Sequence, residues 1–228
     1  QTEKLTMARI LLEEVKVDRL EVASAKVSEG EFNAVKRITE WASKNGYINA
    51  IEVLGFIDGA TTVDWIRDAG CKVMNLLAKG SLRHVTQQLR KTPKEHIADI
   101  KASIAYANSQ GVEVNLYLED WSNGMIDSPE YVFEIIDGLI DEPIKRIMLP
   151  DTLGVLNPDQ TYTFCKMVID RYPQKHFDFH AHNDYDFSAA NAYSAVKAGI
   201  HGVHGTINGM GERAGNVSIA SLIGVIHD

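Results

Sequence analysis

Hydrophobic residues along this chain switch repeatedly between a helical spacing and a two-residue alternation. From Glu3 to Val17, Leu5, Ala8, Ile10, Leu11, Leu12 and Val15 recur at the spacing of a helix face. Arg19 to Val27 then reads as a strand, and the alternation continues to the end of the sequence. Strands are expected at Ile51–Phe56, Lys72–Leu77, Val112–Leu118, Ile144–Leu149, Phe177–His180 and Gly202–Ile207. Helices are expected at Glu31–Lys44, Thr62–Ala69, Pro93–Ser109, Ser128–Leu139, Pro158–Arg171, Phe187–Ala198 and Val217–His227. The helix from Pro93 has proline in its first turn and Gly111 just beyond its end, where each residue suits the helix terminus.

Short strands that alternate with helices pair in parallel through right-handed crossovers. The repeat is about 30 residues long, as in βα units. So many consecutive units favour a (β/α)8 barrel over an open doubly wound sheet. Seven strands and an additional opening helix predict an α/β TIM barrel whose first strand is missing from the sequence. Residues 1–228 are expected to form one catalytic barrel domain, with no linker or second domain within them.

Composition narrows the class only modestly. The 228 residues are 45% hydrophobic and 24% charged, with 23 Lys and Arg against 31 Asp and Glu, a formal net charge of −8. That balance fits a soluble globular protein and, with no basic stripe, argues against a nucleic-acid partner. No apolar run is long enough for a transmembrane helix, and the opening residues lack a signal-peptide pattern. Two cysteines, Cys71 and Cys165, make no disulfide framework and fit a reducing cytoplasm.

The chemistry gathers at the predicted strand ends, where a parallel barrel builds its active site. In Phe177-Asp178-Phe179-His180-Ala181-His182-Asn183-Asp184 the two histidines are two apart, so a strand projects both to one face. Such a pair can chelate a divalent metal, or it can simply mark a strand exit. Asn115, Tyr117 and Glu119 share a face of the strand that ends Asn115-Leu116-Tyr117-Leu118-Glu119-Asp120, and Asp151-Thr152 ends another strand. Glu119 and Asp120 are also consistent with a turn cap, Asp151 with a helix cap and Tyr117 with core. Glu21 is consistent with a barrel-interior carboxylate held by a lysine such as Lys79. The run Asn208-Gly209-Met210-Gly211-Glu212-Arg213-Ala214-Gly215-Asn216 suits a loop whose backbone approaches a ligand closely. His84, His96, His176, His201, His204 and His227 read as surface or helix-end residues without evident partners.

Three of these motifs together resemble the DRE-TIM metallolyase superfamily: His180-Ala181-His182-Asn183-Asp184, Pro150-Asp151-Thr152-Leu153-Gly154 and the glycine-rich loop. The resemblance is to the branch of 2-isopropylmalate, homocitrate and citramalate synthases. Val22-Ala23-Ser24-Ala25, Leu54-Gly55-Phe56 and Tyr117-Leu118-Glu119-Asp120-Trp121-Ser122-Asn123-Gly124 look closest to the bacterial citramalate synthases. The resemblance implies a Claisen-type condensation of acetyl-CoA with a 2-oxo acid in branched-chain amino-acid biosynthesis. It implies one divalent metal (zinc, manganese or magnesium) held by His180 and His182, with Asn216 as a further ligand or support. Thr152 would bind the substrate carboxylate, and Glu119 would serve acid-base chemistry or positioning. Leu54, Leu77 and Tyr117 would wall a pocket sized for pyruvate. A homodimer is also implied.

The sequence departs from that pattern by lacking the Arg-Asp-Gly-Glu motif of the first strand, which supplies an arginine and an aspartate ligand. The family's C-terminal linker and regulatory domain are likewise not expected within these 228 residues. Competing expectations are a 2-isopropylmalate synthase, an aldolase or lyase of the same superfamily, and an inactive scaffold.

Overall fold

A computed structural model describes residues 2–227. Among them, strands and helices alternate: β1 (Leu20–Ser24), β2 (Ile51–Gly55), β3 (Val73–Lys79), β4 (Glu113–Glu119), β5 (Ile144–Asp151), β6 (Phe177–Ala181) and β7 (Gly202–His204). The helices are α1 (Thr2–Arg9), α2 (Glu29–Asn45), α3 (Thr61–Asp68), α4 (Pro93–Ser109) and α5 (Trp121–Asp127). They continue with α6 (Pro129–Leu139), α7 (Pro158–Arg171), α8 (Ser188–Ala198) and α9 (Ile219–His227). The seven strands of the described residues form one sheet in sequential order, β1 to β7. The pairs β1–β2, β2–β3, β5–β6 and β6–β7 are all parallel. This is the order of a (β/α)8 barrel lacking one strand.

Local chemistry places the helix ends. Ser28 opens α2 by accepting the Glu31 N–H at 3.1 Å on its hydroxyl. Asn157 and Gln160 close a reciprocal capping box on α7, with Pro158 in the first turn. Gly199 ends α8 at φ 97°, a conformation that favours glycine.

The chain forms two compact units. The first comprises residues up to Ala78, Ala98–Leu116 and Glu142–Lys145. Its core is drawn from Ile51, Val53, Met74, Leu76 and Val114, all fully buried. Strands buried on both faces explain why these segments are apolar almost throughout. A polar network interrupts this core. Asn75 Nδ2 donates to Glu21 Oε2 at 2.6 Å and to Glu52 Oε2 at 3.0 Å, while Asn115 Nδ2 donates to Asn75 Oδ1 at 2.9 Å. Leu54 and Leu77 stand half-buried on β2 and β3 of this unit.

The second unit comprises Lys79–Ile97, Tyr117–Asp141 and residues from Arg146 onward. Leu118, Leu149, Phe177, Phe179 and Trp121 fill its core. Every remaining residue of the expected site belongs to it.

Several expectations need correction. The opening helix is α-helical only to Arg9, and Ile10–Val15 is π-helical, ending on Lys16 in the left-handed conformation at φ 61°. The last strand stops at His204 rather than Ile207: a Cβ at Gly205 would meet Leu222 at 2.7 Å, so the backbone there is pressed against α9. In place of a turn capped by Glu119 and Asp120, Ser122-Asn123-Gly124 lies in helix α5. A Cβ at Gly124 would overlap the Gly80 carbonyl, so this glycine serves a close approach between backbones and not a chain reversal. Lys79 takes Glu119 as its carboxylate partner, whereas Glu21 accepts from Asn75.

Candidate active site

The second unit assembles its polar residues from the ends of β3 to β7 and from the loops beyond them. His180 is on β6, and His182 follows one residue after it. Their ring centroids are 5.2 Å apart. An isolated antiparallel bridge joins His182 to Asn216, so the glycine-rich loop returns to the end of β6. The Asn216 amide donates from Nδ2 to the Met210 carbonyl at 3.1 Å, which leaves Oδ1 for another partner. A Cβ at Gly211 would overlap that same amide nitrogen, so a side chain there would displace Asn216.

Among the described residues, His180 Nδ1, His182 Nδ1 and Asn216 Oδ1 are shielded from solvent and have no hydrogen-bond partner. Shielded polar atoms are costly when unpaired. Burial above all, and then electrostatic repulsion from the neighbouring His204 and His182 rings on protonation, hold the His180 imidazole well below its ordinary value, against an opposing interaction with the Asn216 side chain. Burial and Arg213 lower His182, against opposing effects of Asp184, Glu212 and Asp151. Both rings are therefore neutral at neutral pH, the form that ligates metal. The described residues contain no cluster of three or more His, Cys, Asp or Glu placed to hold a metal. A cation here would thus rest on two imidazoles and an amide oxygen, a donor set compatible with a divalent ion.

Asp151 is not a free carboxylate. Its two oxygens accept the Val155 and Leu156 N–H groups at 3.0 and 3.1 Å, and burial raises its carboxyl despite those bonds. Thr152 Oγ1 accepts the Asp120 N–H at 2.8 Å. Asp120, left-handed at φ 66°, accepts from Ser81 Oγ and Asn123 Nδ2, both at 2.7 Å. Arg213 clamps the glycine-rich loop: Nε and Nη2 bind Asp184 at 2.7 and 2.8 Å, and Nη2 reaches the Thr152 carbonyl at 2.7 Å.

Glu119 pairs with Lys79. Lys79 is held from both sides of its backbone, since its N–H donates to His96 Nε2 at 3.0 Å and its carbonyl accepts the Tyr131 hydroxyl at 2.9 Å. Tyr117 is buried, edge-on to His180 at 6.0 Å and to His204 at 5.8 Å between ring centroids.

The histidines expected to lack partners have them; the Phe177 N–H donates to His201 Nδ1 at 3.2 Å. His96 is buried on the Lys79 N–H, His84 lies 3.4 Å from Asp120, and His176 and His204 both bind Asp178. Sequence reasoning passed over Asp178, His204, Arg146 and the role of Lys79. A signal for Asp178 existed, because the two-residue alternation that pairs His180 with His182 also puts Asp178 on that face.

A polar cavity of about 260 Å³ opens beside Asn216, bordered by Asn183, Asp186, Asn208, Gly209 and Ser218. A larger one, about 590 Å³, lies along α6 and α7 around Phe133, Met167 and Arg171, and no candidate residue lines it.

A sequentially ordered parallel sheet with polar residues at its strand ends defines a barrel-type α/β domain of the kind that builds sites there. The chain belongs to the HMGL-like (DRE-TIM) family, whose model matches residues 1–228. It is 31% identical over 228 residues to a putative (R)-citramalate synthase of Methanopyrus kandleri, covering 99% of this chain and 43% of that protein. It is also 31% identical over 222 residues to the 2-isopropylmalate synthase of Sulfurisphaera tokodaii, covering 97% and 55%. The chain thus spans about half the length of these curated relatives. Among solved structures, hydroxymethylglutaryl-CoA lyase of Pseudomonas aeruginosa superposes with a TM-score of 0.76 at 17% identity, covering 100% of this chain and 78% of that one. That likeness concerns the fold. No helix of the described residues is long and apolar enough to cross a membrane.

Proposed function

We propose that this chain carries the barrel of a divalent-metal-dependent synthase that condenses acetyl-CoA with pyruvate to give citramalate. The observation that carries this reading is the set of shielded, unpartnered donors on His180, His182 and Asn216 beside the buried Tyr117 ring. A divalent cation held by these residues would supply Lewis-acid polarisation of the ketone of the oxo acid.

The surrounding side chains have separable tasks. Thr152 Oγ1 already accepts from Asp120, so its own hydrogen is left to donate to the substrate carboxylate. Glu119 offers a carboxylate that can take a proton from the acetyl methyl group or orient it, and Lys79 holds that carboxylate in place. Arg213 fixes the glycine-rich loop, and with it Asn216, against the Thr152 backbone. Tyr117 occupies the space a branched side chain would need, which suits the methyl group of pyruvate.

The equal identity to a 2-isopropylmalate synthase supports a second reading, with 2-oxoisovalerate as the oxo acid. A substrate panel separates the two. Acetyl-CoA is offered with pyruvate, 2-oxoisovalerate or 2-oxoglutarate, and free thiol is followed with and without a chelator. Chelator-sensitive thiol release with pyruvate foremost is expected. A preference for 2-oxoisovalerate establishes the second reading, and no release with any oxo acid sinks both.

A further inference from the structure

Asp178 is 2% exposed and binds three side chains at once. Arg146 Nη1 lies 3.1 Å from its Oδ2, His176 Nε2 lies 2.8 Å from Oδ1, and His204 Nε2 lies 3.3 Å from Oδ2. The register of β6 and β7 sets this up by pairing Asp178 with Gly202 and His180 with His204. Glycine at 202 is required, since a Cβ there would overlap Asp178 Oδ1. On its other side, His204 Nδ1 lies 2.9 Å from the Tyr117 hydroxyl.

At the Asp178 end the direction of this chain of bonds follows from what each group can do. An ionised carboxylate only accepts, so the hydrogen between Asp178 and His204 belongs to Nε2. On the ring's other side the 2.9 Å contact between Nδ1 and the Tyr117 hydroxyl ties the two side chains together, with either group able to donate. A tyrosine without such a tie can turn about its side-chain torsions to make room for a larger ligand. Tyr117 is tied at its far end while its ring edge meets His180.

We propose that His204, oriented by Asp178, is a positioning residue that locks the Tyr117 ring in place and so sets the size of the oxo acid the site admits. The tie to His204 makes the Tyr117 ring a fixed wall of the pocket. The inference rests on the reading of Tyr117 as a boundary of the oxo-acid pocket.

The test combines selectivity with a direct view of the ring. In the enzyme, His204→Leu should lower the kcat/KM ratio of pyruvate over 2-oxoisovalerate by roughly tenfold, and Tyr117→Phe should do the same. The double variant should lose no more than either single one, because both cut the same bond. A well-folded His204→Leu protein with an unchanged ratio, or fully additive losses, overturns the proposal.

If His204→Leu does not fold, the 15N spectrum of histidine-labelled unsubstituted protein decides. His204 should be protonated at Nε2, and its Nδ1 signal should move in Tyr117→Phe. An Nδ1 signal that does not move overturns the tie. Absence of thiol release with every oxo acid removes the selectivity role along with the functional reading, while the nitrogen spectrum still reports the bond itself.

Discussion

His182 and Asn216 are joined by an isolated antiparallel bridge, although 34 positions separate them along the chain (216 − 182). The bridge brings the end of β6 and the glycine-rich loop to one place, and each contributes a shielded atom without a partner. If that juxtaposition serves a cation, removing either side should be felt in binding of the metal itself. Asn216→Ala is expected to weaken Mn²⁺ binding by about 10–100-fold, and His182→Ala by at least as much. Titration of the apo protein with Mn²⁺, read by electron paramagnetic resonance, checks this. Affinities within twofold of the unsubstituted protein would remove these residues from the metal site.

Tyr117 supplies the second expectation, independent of its bond to His204. Tyr117→Ser opens the space filled by the ring, so kcat/KM for pyruvate should fall and that for 2-oxoisovalerate should rise relative to it. An apolar pocket discriminates by about 1–3 kcal/mol for a methylene, or roughly 10–200-fold. A ratio that does not move would show that another element bounds the oxo acid, and the 2-isopropylmalate reading would gain.

Arg213 makes a bidentate pair with Asp184 and a third bond to the Thr152 carbonyl from a left-handed backbone at φ 55°. The pair is part-exposed, with 37% of the Arg213 side chain accessible, so solvent screening keeps its share of global stability to about 1 kcal/mol or less. The effect should appear locally. Arg213→Ala is expected to speed amide hydrogen exchange across residues 208–216 and to raise KM for the oxo acid more than it lowers Tm. Exchange unchanged in that loop would mean that its order comes from the glycine-mediated backbone contacts alone.

Asp58 gives a pH dependence with a defined sign. Its Oδ1 accepts the Thr62 N–H at 3.0 Å, and its Oδ2 accepts from Thr62 Oγ1 at 2.9 Å and Lys26 Nζ at 2.6 Å. Burial alone would raise its carboxyl; the bonds from Lys26 and Thr62 and the charge of Lys26 outweigh that and hold it below its ordinary value. A carboxylate lowered in the folded state adds stability above its unfolded value, about pH 4, and loses it as pH falls through the folded one. Asp58→Asn should therefore cost about 1 kcal/mol near pH 7 and progressively less below pH 4. Urea melts at both pH values read this directly. An equal cost at pH 7 and pH 3 would contradict the assignment.

Much of this architecture was legible in order along the chain. Apolar alternation located all seven strands of the described residues, and the ends of α4 and α7 fall where the sequence places them. Periodicity is a local property, set by whether the chain repeats its buried face every two residues or every 3.6, so it needs no knowledge of neighbours. The His180–His182 pair was visible for the same reason. Local rules left open what only a distant backbone decides: Gly124 suits a turn in the sequence, but it lies in α5 where the Gly80 carbonyl occupies the place of a side chain.

Apart from His176 and Asp178, two residues apart, the partners of the histidines were beyond local rules. His204 looks like a strand-end surface residue in the sequence. Strand pairing sets it beside His180 and brings it within reach of Asp178 and of Tyr117, 87 positions away. Hydrogen bonds depend on distance and direction between groups that only folding brings together. The sequence by itself determined which residues could bind, accept and donate; the packing of β4, β6 and β7 decided which of them meet, because a side chain's partner is chosen by register and not by its place along the chain.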